Sequence, residues 1–151
     1  MRRKLLATIF PLLASCSSAG PEPVDNSLGV GISITQLSTS ISILTGEVDV
    51  HVAVKNEYRL PLKGVRIYLV AYDHDQKLIR GTNATIDVPG PITTNQQTGS
   101  LDFKAVMRDR DVRCVSVARV EAVRMDYVIL FATGREASDL VKEPRKACAA
   151  D

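Results

Sequence analysis

A chain of 151 residues with 19 Lys and Arg against 17 Asp and Glu has the size of a single domain and leaves little room for a second core. So balanced a charge excludes the basic stripe that nucleic-acid binding needs. The apolar fraction of 45% is that of an ordinary soluble domain, and 5% aromatics with no Trp argue against a large aromatic-lined ligand pocket.

The first residues are the most informative. Arg2, Arg3 and Lys4 form a positive n-region, Leu5 to Leu13 a short apolar h-region, and small residues follow at Ala14 and Ser15, the layout of an export signal. Nine apolar residues cannot cross a hydrocarbon core of about 30 Å, which takes roughly 20. Leu13-Ala14-Ser15-Cys16 resembles a bacterial lipobox, in which small residues admit a peptidase and the following thiol accepts lipid. The resemblance implies acylation of Cys16 and stable anchoring by several chains; the alternative is plain secretion with Cys16 placed by chance. Loss of the three basic residues of the signal leaves 16 basic against 17 acidic residues. Ser17, where an Asp resembles an inner-membrane retention signal, points to the outer membrane, facing the periplasm.

From Cys16 to Ser27 the chain is rich in Ser, Pro, Gly and acid, the composition of an extended tether. Ile32, Ile34, Leu37, Ile41 and Ile43 are expected to supply the first strand or two. Val48, Val50, Val52 and Val54 alternate with polar residues, which gives one face to a core and one to water. Leu60-Pro61-Leu62-Lys63-Gly64 reads as a loop, Val65, Ile67, Leu69 and Ala71 as the next strand, and Tyr72 to Lys77 as a turn built on Asp residues. Thr82 to Val88 continues as a strand that Pro89-Gly90-Pro91 is expected to break. After a polar loop at Asn95 to Gly99, Leu101, Phe103 and Ala105 alternate again, and Val112 to Val123 and Met125 to Thr133 are the last two candidates. A short helix is expected through Glu136 to Lys142, ended by Pro144.

The reading is an all-β fold: one antiparallel, immunoglobulin-like β-sandwich of about seven strands. Residues 1–15 are the signal peptide, 16–27 the acylated tether, 28–133 the sandwich and 134–151 a partly helical tail. The sandwich stretch of about 105 residues is close to the roughly 100 of such domains.

Val54-Lys55-Asn56, then Leu62, Val65, Ile67 and Leu69, then Ala71-Tyr72-Asp73 and a polar turn resemble the FxLYD-type bacterial immunoglobulin-like domain. The match runs from about Gly46 to Phe103. Leu69 and Ala71 stand where that family prefers Phe and Leu, and Gln76 where it prefers a turn Gly. The resemblance implies a sandwich used as an interaction or spacer module of the envelope, and it transfers no catalytic residue.

Chemistry-bearing residues are few. Only His51 and His74 are available as imidazoles. Asp73-His74-Asp75 offers two carboxylates and an imidazole, but neighbours in a tight turn diverge and no second Cys/His cluster supports them, so no metal is expected. His51 belongs to the polar face of the valine strand. No G-x-S-x-G, no P-loop and no third glycine after Gly29-Val30-Gly31 is present, so no catalytic residue or cofactor is assigned. Arg108-Asp109-Arg110-Asp111-Val112-Arg113 nearly cancels its own field and reads as a solvated loop. Asn83-Ala84-Thr85 fits a glycosylation sequon by chance. With Cys16 acylated, Cys114 and Cys148 remain as an even pair in an oxidising compartment. The alternatives are a Cys114–Cys148 bridge or a buried Cys114 with a free Cys148.

The expected activity is non-catalytic: a lipid-anchored module whose edge strand or loop cluster meets an envelope protein partner, with the membrane held through Cys16. The second class is a small-ligand or glycan-binding lipoprotein, for which Tyr58, Tyr68, Tyr72 and Tyr127 would have to converge on one exposed face.

Overall fold

The computed structural model describes residues 24–25 and 30–142. The expected signal peptide, Cys16, most of the expected tether, Pro144 and Cys148 therefore lie outside the described residues.

The elements are β1 (Val24–Asp25), β2 (Ile32–Ile41), β3 (Glu47–Asn56), β4 (Leu62–Tyr72), β5 (Leu78–Ile92), β6 (Leu101–Arg108), β7 (Cys114–Arg124), β8 (Ile129–Thr133) and α1 (Gly134–Asp139). They form a β-sandwich of two sheets, ordered β2-β3-β6 and β1-β8-β7-β4-β5, antiparallel except where β1 runs parallel to β8. From β2 onward the chain crosses between sheets at β3–β4, β5–β6 and β6–β7, the connectivity of an immunoglobulin-like fold.

The core follows from alternation. Val48, Val50, Val52 and Val54 are fully buried and face Val65, Ile67, Leu69, Ala71, Val115, Val117, Val120 and Ala122 of the other sheet. In β7 the register slips between the pairs Tyr68↔Arg119 and Leu69↔Val117. Ala118 is the extra residue of this bulge, and so Val117 and Val120 both reach the core despite their odd spacing.

Four expectations are corrected. β4 begins at Leu62, which is buried and pairs with both Ile92 and Arg124. β5 does not break at Pro89-Gly90-Pro91 but runs through them to Ile92, because it is an edge strand with β4 as its sole ladder partner, and an edge tolerates missing N–H groups. Gly90 permits the close pairing: a Cβ there would stand 2.4 Å from the Lys63 carbonyl oxygen. Ile43 is not a strand residue but the tip of the β2–β3 hairpin. In β6 the alternation is interrupted at Ala105 (φ 48°), which bulges out and is exposed, and resumes at Met107, which enters the core opposite Val48.

The segment after β8 is packed onto the sandwich. α1 ends at Asp139, Ala137 is fully buried, and Ile34 is bracketed by the tail: its N–H donates to the Leu140 carbonyl at 2.8 Å and its carbonyl accepts the Lys142 N–H at 3.0 Å.

Strand direction sorts the loops to two poles. At the pole where residues 30–31 enter β2 lie residues 57–61, 93–100 and 125–128. At the opposite pole lie residues 42–46, 73–77 and 109–113, where the Asp109 N–H donates to the Gly46 carbonyl at 2.9 Å.

Asn56 ties the entry pole together. It is wholly buried; its Nδ2 donates to the Leu60 and Ile92 carbonyls at 3.0 and 2.9 Å, and its Oδ1 accepts the Tyr58 N–H at 2.9 Å. Asn56→Leu keeps the number and branching of side-chain heavy atoms and leaves those three backbone groups unpaired. Each such loss is worth about 1–3 kcal/mol, so denaturant unfolding is expected to show a destabilisation of at least about 3 kcal/mol. Gly46→Ala is expected to destabilise by about 2–3 kcal/mol through strain at φ +71° and a Cβ 2.6 Å from the Asp109 backbone.

Candidate functional site

The outward face of the three-stranded sheet is a ladder of opposite charges. Across β3 and β6, Glu47 faces Arg108 at 3.9 Å, Asp49 faces Lys104 at 3.1 Å, and His51 Nδ1 meets Asp102 at 2.5 Å. Such cross-strand pairs fix register more than they bind. His51 is half-exposed and tied to Asp102, the structural use of a surface histidine.

On the outward face of the larger sheet, β4, β7 and β8 assemble a cluster that alternation alone does not announce. Arg119 donates through Nε to Glu121 Oε1 at 2.8 Å, with its Nη2 ion-paired to the same oxygen at 2.8 Å, and its guanidinium lies 4.3 Å from the Phe131 ring centroid. The Tyr68 hydroxyl donates to Glu121 Oε2 at 3.1 Å, and Arg66 pairs with Asp87 at 2.6 Å. Glu121 is only 8% exposed. Both its oxygens are engaged, so the carboxylate holds its neighbours in place. The signal in the sequence is Arg119-x-Glu121 on one face of a strand opposite Tyr68, which becomes legible only once the β4–β7 register is known.

Asp73, His74 and Asp75 do present ligand atoms within 4.8 Å of one another. Asp73, however, is committed to the turn: its Oδ1 accepts the Asp75 and Lys77 N–H groups at 2.8 and 2.9 Å. Those hydrogen bonds, the Lys77 N–H foremost, hold its carboxyl below the usual range. Of the run from Arg108 to Arg113, Arg108 ends β6 and residues 109–113 form the loop. Asp109 accepts the Asp111 N–H and the Thr82 hydroxyl, both at 2.9 Å, which lower its pKa, and Val112 is fully buried beneath it.

The four tyrosines do not converge. Tyr68 and Tyr72 stand on the outer face of β4, whereas Tyr58 and Tyr127 belong to the entry pole, beneath Arg124 and Lys63 respectively. Cys114, at the start of β7, is a disulfide-bonded cysteine; Cys16 and Cys148 lie outside the described residues.

Exposed apolar side chains gather at the two poles. Ile43 and Leu44 are 94% and 84% exposed at the hairpin tip, two consecutive aliphatics held out into water. At the entry pole Leu60, Met125 and Tyr127 are 40%, 53% and 58% exposed. Ile43 is expected from the sequence to belong to the first strand or two, with Ile32, Ile34, Leu37 and Ile41; the hairpin turn at Thr45-Gly46 places it at a tip instead.

No family model, no curated protein and no solved structure matches the chain.

Three hydrogen-bonded carboxylates, one on β3 and two in turns, set an acid limit. Asp49, Asp73 and Asp109 all titrate below the ordinary value of 3.8 in the folded state. Their contribution is complete above that value and is lost as pH falls through the lower folded pKa. Acid titration of unfolding is expected to show stability declining below about pH 4, with a shallower decline in Asp73→Asn and Asp109→Asn; unchanged slopes would contradict the assignment.

Proposed function

We propose that the protein is a non-catalytic, lipid-anchored envelope module that binds another envelope protein through the Ile43–Leu44 tip. The observation that carries this reading is the exposure of two adjacent large aliphatics at the pole opposite the chain's entry. Single exposed apolar residues are ordinary, but a pair raised on a hairpin is a shape that fills a partner's pocket.

The sheet edges favour a loop contact over strand addition. Ile34 of β2 already pairs with residues 140 and 142. At β6 the Ala105 N–H donates to the Asp49 carboxylate at 2.8 Å, and Pro89 and Pro91 of β5 offer no N–H to an added strand. The scattered tyrosines weigh against the second class, a small-ligand or glycan site.

The address rests on sequence: acylation of Cys16, with the domain facing the periplasm from the outer membrane. The FxLYD-type resemblance is compatible with Asn56 as the buried end of β3 and Tyr72-Asp73 as the end of β4. We also propose that Cys148 is the bridge partner of Cys114, a loop whose closure is worth about 3–4 kcal/mol in the entropic model.

The test is a photoreactive residue at position 44, compared with one at position 85 on the outer face of β5, in cells carrying the tagged protein. One or two proteins captured in fixed ratio from position 44 alone, and lost on Ile43→Ser, are the expected result. Equal capture from both positions, or none from position 44 while the protein still fractionates with membranes, would sink the reading.

A further inference from the structure

The entry pole carries a second apolar patch of different character. Leu60 and Pro61, which precede β4, lie beside Arg124, the last residue of β7, and Met125 and Asp126, which follow it. Beside them the Lys63 ammonium stands 3.9 Å above the Tyr127 ring. Arg59 and Lys63 are exposed, and among the described residues neither has a carboxylate partner; Arg124 is paired with Asp126 at 2.6 Å. The patch is formed by two loop tips, with an exposed Leu, Met and amphipathic Tyr and with cations beside them.

Its position adds a constraint. Val30 and Gly31 enter the sandwich at this pole: the Gly31 carbonyl accepts the Glu57 N–H at 2.8 Å, and a Cβ on Gly31 would stand 2.8 Å from the Tyr58 ring. Thirteen residues separate Cys16 from Val30, so covalent geometry keeps this pole within about 50 Å of whatever Cys16 is fixed to. Apolar and aromatic tips ringed by Lys and Arg match the boundary between headgroups and acyl chains.

We propose that the pole formed by Leu60, Met125 and Tyr127, with Arg59 and Lys63 at its rim, seats the domain on the surface of a bilayer containing anionic lipid. The proposal rests on the reading of Cys16 as the anchor for its choice of occupant. A protein partner at this pole is the competing outcome of the test.

Because the chain contains no Trp, Met125→Trp and Leu44→Trp each install one fluorophore at an exposed position, one at either pole. The full chain is purified from its envelope and the mass at Cys16 measured. It is then combined with phosphatidylcholine vesicles, with or without phosphatidylglycerol, whose acyl chains carry bromine as a quencher. Emission from Met125→Trp is expected to move to the blue and be quenched in the anionic vesicles, while Leu44→Trp stays water-like. Adding Arg59→Gln or Lys63→Gln to Met125→Trp is expected to weaken the seating by about fivefold for each cation, as is raising salt in the same direction.

Equal quenching at both poles, or none from Met125→Trp, overturns the proposal, and protection of Met125→Trp only by an added envelope protein assigns the pole to a protein partner instead. The mass at Cys16 reads the anchor separately: an unmodified thiol refutes the anchoring, and quenching of the unacylated chain still decides the seating.

Discussion

The sandwich depends on one buried amide. β3 must hand the chain from one sheet to the other at Asn56, and a crossing of this kind leaves backbone groups inside the fold with no ladder to join. Asn56 answers three of them at once, with both Nδ2 hydrogens and Oδ1 used. Its own N–H and carbonyl reach Gln96 and Asn95. The end of β3, the start of β4 and the end of β5 are thereby locked as one unit. An apolar residue could fill the space, but it could not satisfy the carbonyls, and buried unpaired polar groups are what a small domain can least tolerate.

From that lock outward, the fold manages its exposed backbone by three different means. β6 is bulged, and a side chain occupies the freed N–H; β5 carries prolines; β2 is partly covered by the residues after α1. Each removes a template on which another chain could add a strand. The outer faces are treated similarly, with a charge ladder on one sheet and the paired Glu121 cluster on the other. Surfaces satisfied in this way have little left to offer a partner. Two loop poles with bare aliphatic side chains therefore stand out, since nothing in the packing of the sandwich requires Ile43, Leu44, Leu60 or Met125 to be apolar.

How much was legible in the sequence follows from which interactions are local. Val48 to Val54 declared their face because alternation needs no partner to be read, and the Asp73 turn declared itself because its hydrogen bonds span at most four residues. Ala105, Pro89 and Ile43 misled for one reason: each obeys a local rule whose outcome is decided by a distant segment. The bulge at Ala105 is set by Asp49, the tolerance of the prolines by β5 lying at an edge, and the exposure of Ile43 by the hairpin turning at Gly46, whose close approach to Asp109 leaves no room for a Cβ. The Glu121 cluster was invisible for the same reason, being assembled from three strands across a register that slips at Ala118. The residues that the lipid reading turns on, Cys16 and its flanks, were legible as a motif and lie outside the described residues.

The two proposed contacts constrain one another. β3 has 10 residues, so the poles are separated by about 33 Å of strand. If the entry pole rests on a bilayer, the Ile43–Leu44 tip is held about that far above it, and a partner must present its pocket at that height. Held against the membrane, the domain also loses much of the reach of its tether, which lowers the entropy to be given up when the tip engages. A tether alone would let the tip sample many heights and orientations. Seating and binding then become parts of one arrangement, in which the rim cations at one pole narrow the positions at which the aliphatic tip at the other can be met.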